Sequence, residues 1–162
     1  MIYLIGPMAS GKSTVGKSLA TALSTSFADS DAAIVAHHGT IAQIFAEHGE
    51  AHFRDLEVHA LCRLRTGVVA TGGGAVLREE NQQLLSRGTV IYLELGEQAA
   101  AERIKGDGHR PLLAGDEALK SWIAVYEKRR PIYEMLADVH VLVDGKSVSQ
   151  ILDEVLPQLE RL

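Results

Sequence analysis

Lys12 and Ser13 close the run Gly6-Pro7-Met8-Ala9-Ser10-Gly11-Lys12-Ser13-Thr14, which has the spacing G-x-x-x-x-G-K-[ST] and follows directly on the apolar stretch Ile2-Tyr3-Leu4-Ile5. That spacing is a phosphate-binding loop, or P-loop. Phosphate oxygens concentrate negative charge and lone pairs in a small volume, so a protein that grips them needs many donors in a concave space. Backbone N–H groups of Ala9, Ser10, Gly11, Lys12, Ser13 and Thr14 meet that need, Gly6 and Gly11 allow the turn, and the helix expected to begin near Lys12 points its positive end inward. Lys12 is expected to reach the β- and γ-phosphates of a bound nucleotide, with the Ser13 hydroxyl on Mg²⁺.

Other reactive side chains follow short apolar runs in the same way. Asp29 and Asp31 come after the run around Phe27, at i and i+2, a spacing that puts both on one side of an extended segment. A P-loop enzyme needs a carboxylate near its metal and a group to hold the phosphate acceptor; helix capping is the other use of such residues. Thr71-Gly72-Gly73-Gly74 follows Val68 to Ala70, and three glycines lay bare main-chain N–H groups that a ligand can approach. Three arginines stand out by position. Arg54 is near the start of a helical segment, Arg110 lies in a stretch without periodicity, and Arg129 is at the expected end of a helix just before Pro131.

Positioning these groups requires a frame, and short apolar runs alternating with longer amphipathic segments predict an α/β fold with a parallel sheet flanked by helices. The five candidate strands are Ile2 to Ile5, around Phe27, Val68 to Ala70, Val90 to Leu95 and Val139 to Val143. Ligands in such sheets bind beyond the carboxyl ends of the strands, where the residues above fall. Thr40 to Gln43 has capping-box spacing, so one helix is expected to end near His38 and the next to start at Thr40. Gly49 should end that one, before a helical run from about Glu50 to Arg65. Ala118 to Arg129 and Ser147 to Leu162 read as later helices. Gly106-Asp107-Gly108-His109-Arg110-Pro111 breaks the pattern between helices and is a candidate lid.

Composition excludes several classes. The chain has 162 residues and a formal net charge of -5, which opposes general binding to nucleic acid or anionic membrane. Cys62 is the single cysteine and makes no internal disulfide, no apolar stretch reaches the length of a membrane span, and with a first strand expected at residue 2 no targeting peptide is expected. One cytoplasmic domain over 1–162 is expected. His48 and His52 stand at i, i+4, but Gly49 between them and the lack of a third ligand argue against zinc. Trp122, Tyr126 and Tyr133 read as packing residues.

Taken together, GPMASGKST, FADSD at Phe27 to Asp31, GEAHFRDLE at Gly49 to Glu57, ATGGG at Ala70 to Gly74, HRPLL at His109 to Leu113 and RRPIYEMLA at Arg129 to Ala137 resemble the shikimate kinases, in order and spacing over nearly the whole length. The resemblance implies a three-layer P-loop kinase fold with five parallel strands, an acceptor-binding helical region at about 31–61 and a mobile lid at about 106–117. It implies transfer of the γ-phosphoryl of MgATP to the 3-hydroxyl of shikimate by a monomer. Arg54 and Arg129 would hold the acceptor carboxylate, Asp31 its hydroxyls, and the Gly72, Gly73 and Gly74 backbone would add an anchor. Ser13 would bind Mg²⁺ directly and Asp29 through water, Arg110 would act as an arginine finger beside Lys12, and Lys146 would contact adenine. Tyr133 would help shape the acceptor pocket. Ala9 departs from the family's usual glycine, and its methyl requires a negative φ to sit without strain. The RxPxY spacing selects Arg129 over Arg130. A kinase for gluconate or a nucleoside monophosphate, or a nucleotide-dependent switch, are the rival readings; no Asn-Lys-x-Asp segment that would read guanine is present.

Overall fold

The structure is a computed structural model that describes residues 1–65, 67–106 and 116–162. Arg110 and most of the expected lid lie outside the described residues. Five strands, β1 (Ile2–Ile5), β2 (Phe27–Asp29), β3 (Val68–Ala70), β4 (Thr89–Glu94) and β5 (Val139–Leu142), form one parallel sheet in the order β2-β3-β1-β4-β5. Tyr3 stands level with Val69 on one side and Val90 on the other. Leu4, Ile5, Val68, Val69, Ala70 and Val90 to Leu93 are all buried, because helices cover both faces of the sheet.

Among the described residues, seven helices complete the frame: α1 (Lys12–Ala22), α2 (Ser30–His38), α3 (Ile41–Arg63), α4 (Glu79–Leu85), α5 (Glu97–Gly106), α6 (Asp116–Leu136) and α7 (Val148–Leu159), with a 3-10 turn at Ala75–Leu77. Val15 and Leu19 of α1, Trp122, Tyr126 and Tyr133 of α6, and Ile151 and Val155 of α7 join the strands in the main core. No helix among the described residues is long and apolar enough to cross a membrane. Because β1 is central and the chain leaves it first toward one edge and then toward the other, the crevice at its carboxyl end is the switch point where such sheets bind ligands.

Local signals decide several boundaries. Thr40 and Gln43 form the expected capping box, Gln43 N–H donating to Thr40 Oγ1 at 3.2 Å and Thr40 N–H to Gln43 Oε1 at 3.0 Å. Gly49, at φ 82° and ψ 174°, interrupts α3 as its position predicts. Between α2 and α3, Ile34, Ile44 and Phe53 make a second, smaller apolar cluster.

Two expectations are corrected. The helix carrying Arg129 does not end before Pro131 but runs on to Leu136. Pro131 forfeits one helical hydrogen bond, yet Tyr133 beyond it is fully buried and donates its hydroxyl proton to the Gly73 carbonyl at 2.5 Å, so packing outweighs the loss. Asp29 and Asp31 do not share an extended segment either. Asp29 ends β2 and caps α2, accepting from the N–H groups of Asp31 and Ala32 at 3.0 and 3.1 Å, while Asp31 sits in the first turn of that helix.

Candidate active site

The loop between β1 and α1 has the geometry of an anion cradle. Gly6 lies at φ 143°, where a Cβ would come 2.4 Å from the Leu93 carbonyl oxygen, and Gly11 at φ 87°. Ala9 also has positive φ, 69°, so the condition under which its methyl would be free of strain is not met. At the start of α1 no side chain caps the first N–H groups, whereas Asp29, Thr40 and Ser147 cap α2, α3 and α7. Those open donors, at the positive end of the helix, suit phosphate. Lys12 Nζ folds back over the loop and donates to the carbonyls of Gly6 at 3.0 Å and Pro7 at 2.8 Å. Withdrawal from water lowers its pKa to about 8, with Asp31 and Asp29 pulling the other way.

Beside the cradle the Ser13 hydroxyl donates to Asp29 Oδ2. Asp29 therefore does two jobs: one oxygen caps α2 and the other faces Ser13. Adjacent hydroxyl and carboxylate oxygens are a donor set that fits Mg²⁺, which keeps several waters and phosphate oxygens as ligands. No group of three or more His, Cys, Asp or Glu able to hold a metal exists among the described residues. His48 and His52 meet on α3 with ring centroids 4.8 Å apart and planes tilted by 46°.

Opposite lies a polar cluster drawn from α2, α3, α6 and the turn after β3. Arg54 is 9% exposed, and its Nη1 donates to Glu57 Oε2 at 2.5 Å while Nη2 reaches Glu50 Oε1 at 3.2 Å. Glu57 is fully buried, and loss of water raises its pKa against the opposing pull of Arg54. The glycine triplet is explained by close packing more than by open N–H groups. A Cβ on Gly72 would stand 2.6 Å from both Asp31 Oδ1 and Glu57 Oε1, and one on Gly74 would stand 2.3 Å from Arg54 Nη1. Gly72 N–H is already donated to the buried Ser30 hydroxyl at 3.0 Å. Gly73 is the exception, with Arg129 Nη1 3.5 Å from where its Cβ would be. Arg130 faces away from this cluster, paired with Glu134 at 2.7 Å and Glu94 at 3.6 Å.

One cavity of about 900 Å³ joins these parts, lined by Ala9, Gly11, Lys12, Ser13 and Thr14 of the loop and by Asp31, Arg54, Gly72, Gly73, Gly74 and Arg129, with Asp29 and Tyr133 also at its wall. Ser10 is buried behind the loop, its hydroxyl 3.5 Å from Lys12 Nζ. Lys146 is elsewhere, bonded to Glu154 of α7 at 2.7 Å and outside this lining. Sequence reasoning gave no role to Glu57, although its spacing of three from Arg54 puts both on one helix face. It also missed Arg103 and Trp122, which donate to the Ala9 and Met8 carbonyls at 2.7 and 2.8 Å across long sequence separations that leave no local signal.

A cradle for a polyphosphate facing paired arginines and a carboxylate is the arrangement expected of a small-molecule kinase. A family model described as shikimate kinase matches residues 8–160. The shikimate kinase of Rhodococcus jostii is 38% identical over 160 residues, 96% of this chain and 95% of that protein. That of Synechococcus sp. (strain JA-3-3Ab) is 44% identical over 95% of this chain and 84% of its own. The structure of shikimate kinase from Acinetobacter baumannii in complex with shikimate superimposes with a TM-score of 0.90 at 34% identity, covering 99% of this chain and 92% of the other. A gluconokinase from Sinorhizobium meliloti shares the fold alone, with a TM-score of 0.57 at 22% identity. With its motifs, its five-stranded parallel sheet and these matches in agreement, the chain belongs to the shikimate kinase family of ATP-dependent kinases.

Proposed function

We propose that this protein transfers the γ-phosphoryl group of MgATP to the 3-hydroxyl of shikimate, yielding shikimate 3-phosphate. The observation that carries the reading is that Lys12 and the uncapped start of α1 share a cavity with Arg54, Arg129 and Asp31. Shikimate has one carboxylate and three hydroxyls on a small ring. Guanidinium forks at Arg54 and Arg129 suit the carboxylate, and a lysine at either place would lose bidentate geometry. Glu57, itself at the cavity wall, holds the Arg54 guanidinium in place through Nη1. Asp31 then accepts hydrogen bonds from ring hydroxyls, including the attacking one.

Asp31 cannot strip that hydroxyl in advance, because a carboxylate of ordinary pKa about 4 is far too weak a base for an alcohol. In a loose transition state it need not, and its work is positioning first and late proton acceptance second. Lys12 and the loop amides spread the charge of the transferring group. Bound at Ser13 and Asp29, Mg²⁺ would supply further neutralisation of phosphate charge. Arg110, outside the described residues, is assigned the arginine-finger role from sequence resemblance, and the segment at about 106–117 that of a lid excluding water. The chain is read as one domain over 1–162 acting as a cytoplasmic monomer, with residues at about 31–61 seating the acceptor and no nucleic-acid or membrane partner. Its net charge of -5 supports the last point.

ADP release from MgATP measured with shikimate, gluconate, nucleoside monophosphates or no acceptor tests the reading. Shikimate alone should raise the rate by several orders of magnitude. Equal stimulation by gluconate or a nucleotide, or none by shikimate, overturns it.

A further inference from the structure

The P-loop is held by two side chains that its motif does not contain. Trp122 is 4% exposed, and its indole N–H donates to the Met8 carbonyl at 2.8 Å; Arg103 Nη1 donates to the Ala9 carbonyl at 2.7 Å. In a trans peptide the C=O and the following N–H point in opposite directions, and no peptide here is cis. Fixing the Met8 carbonyl therefore fixes the Ala9 N–H, and fixing the Ala9 carbonyl fixes the plane that carries the Ser10 N–H. These two planes flank the one non-glycine residue of the loop with positive φ, Ala9 at 69°. An L-residue left to itself prefers negative φ, and reaching it here would rotate the Met8–Ala9 plane, which carries the Ala9 N–H at the cavity wall, or the Ala9–Ser10 plane, whose N–H already donates to the Pro7 carbonyl at 3.3 Å.

The geometry points to Trp122 as a positioning residue, with Arg103 as its second anchor: its N–H holds the Met8–Ala9 peptide in the anion-binding orientation that the Ala9 methyl disfavours. Glycine at position 9 would have no such preference, so the anchor matters because alanine is there. The inference rests on the nucleotide half of the proposed function and is independent of which acceptor is used.

The test is a cycle of four proteins, wild type, Trp122→Phe, Ala9→Gly and the double variant, with MgADP affinity measured by calorimetry and folding checked by thermal melting. Phenylalanine keeps the aromatic body and removes the donor. Loss of one buried hydrogen bond should weaken MgADP binding about fivefold to tenfold. Adding Ala9→Gly should restore affinity to within about twofold of wild type, because the competing backbone state is no longer favoured. A general packing defect would persist whatever stands at position 9. Unchanged affinity in Trp122→Phe, or a deficit that Ala9→Gly leaves in place, overturns the assignment. If Trp122→Phe does not fold, Arg103→Met with and without Ala9→Gly gives the same reading, a deficit rescued by glycine supporting it and an unrescued one sinking it. If wild type binds MgADP but shows no shikimate-dependent turnover, the acceptor assignment fails while this cycle can still be read.

Discussion

Gly74→Ala separates backbone strain from side-chain placement in the acceptor site. Gly74 has φ −94° and ψ 0°, the region occupied by L-residues in type I turns, so the variant adds little dihedral strain. Its Cβ, however, would stand 2.3, 2.4 and 2.5 Å from Nη1, Nη2 and Cζ of Arg54, where ordinary contact begins at 3.4 Å. The guanidinium must retreat by about 1 Å or more to restore van der Waals distance. It is the far end of a flexible side chain, so the fold survives; the loss falls on what the guanidinium was placed to do. Its bond to Glu57 stretches, and a bidentate contact to an acceptor carboxylate is misaligned. A charge-assisted hydrogen bond contributes about 1.5–3 kcal/mol, so the KM for shikimate should rise roughly 10- to 100-fold while the affinity for MgADP stays within about twofold. Partial loss of the pair to buried Glu57 should lower the melting temperature by about 2–6 °C. Steady-state kinetics with each substrate varied in turn, and a melting curve, give the answer. A folded variant with wild-type KM for shikimate would refute the placement of Arg54 at the acceptor.

Gly49→Ala is the converse case, since φ is 82° and nothing lies within 4 Å of the added Cβ. It should lower stability by about 1 kcal/mol in a thermal melt through strain alone; an unchanged midpoint would contradict it. Lys12 has its pKa lowered from 10.5 to about 8, so the free protein loses that charge as pH rises through 8, whereas a bound polyphosphate would keep the lysine protonated. MgADP binding at pH 9 should therefore take up a proton, read by calorimetry in buffers of different ionisation enthalpy, with uptake shrinking toward pH 7; net release at pH 9 would contradict the shift. Arg110→Ala should lower kcat far more than it raises the KM for shikimate, and an unaltered kcat removes the finger role.

Much of this architecture was legible because its signals are local. A strand must precede a P-loop, Thr40 and Gln43 announce a helix start, and Gly49 a break; each rests on residues within a turn of one another. Other features depend on what arrives from elsewhere in the chain. Pro131 suggested a helix end, but the burial of Tyr133 against the sheet and its bond to Gly73 keep the helix going. The three glycines suggested exposed backbone, whereas two of them make room for Asp31, Glu57 and Arg54, whose approach no spacing records. Ala9 could be noticed as unusual in the sequence, but its dihedral and the side chains that enforce it are tertiary facts.

The chain contains one tryptophan, and it is the residue bonded to the Met8 carbonyl. Every photon emitted by indole in this protein thus comes from the wall of the cavity, from a ring shielded from water and tied to the loop that receives phosphate. Its emission should lie at short wavelength in the free protein and respond when MgADP enters, so occupancy can be followed in real time without attaching a dye.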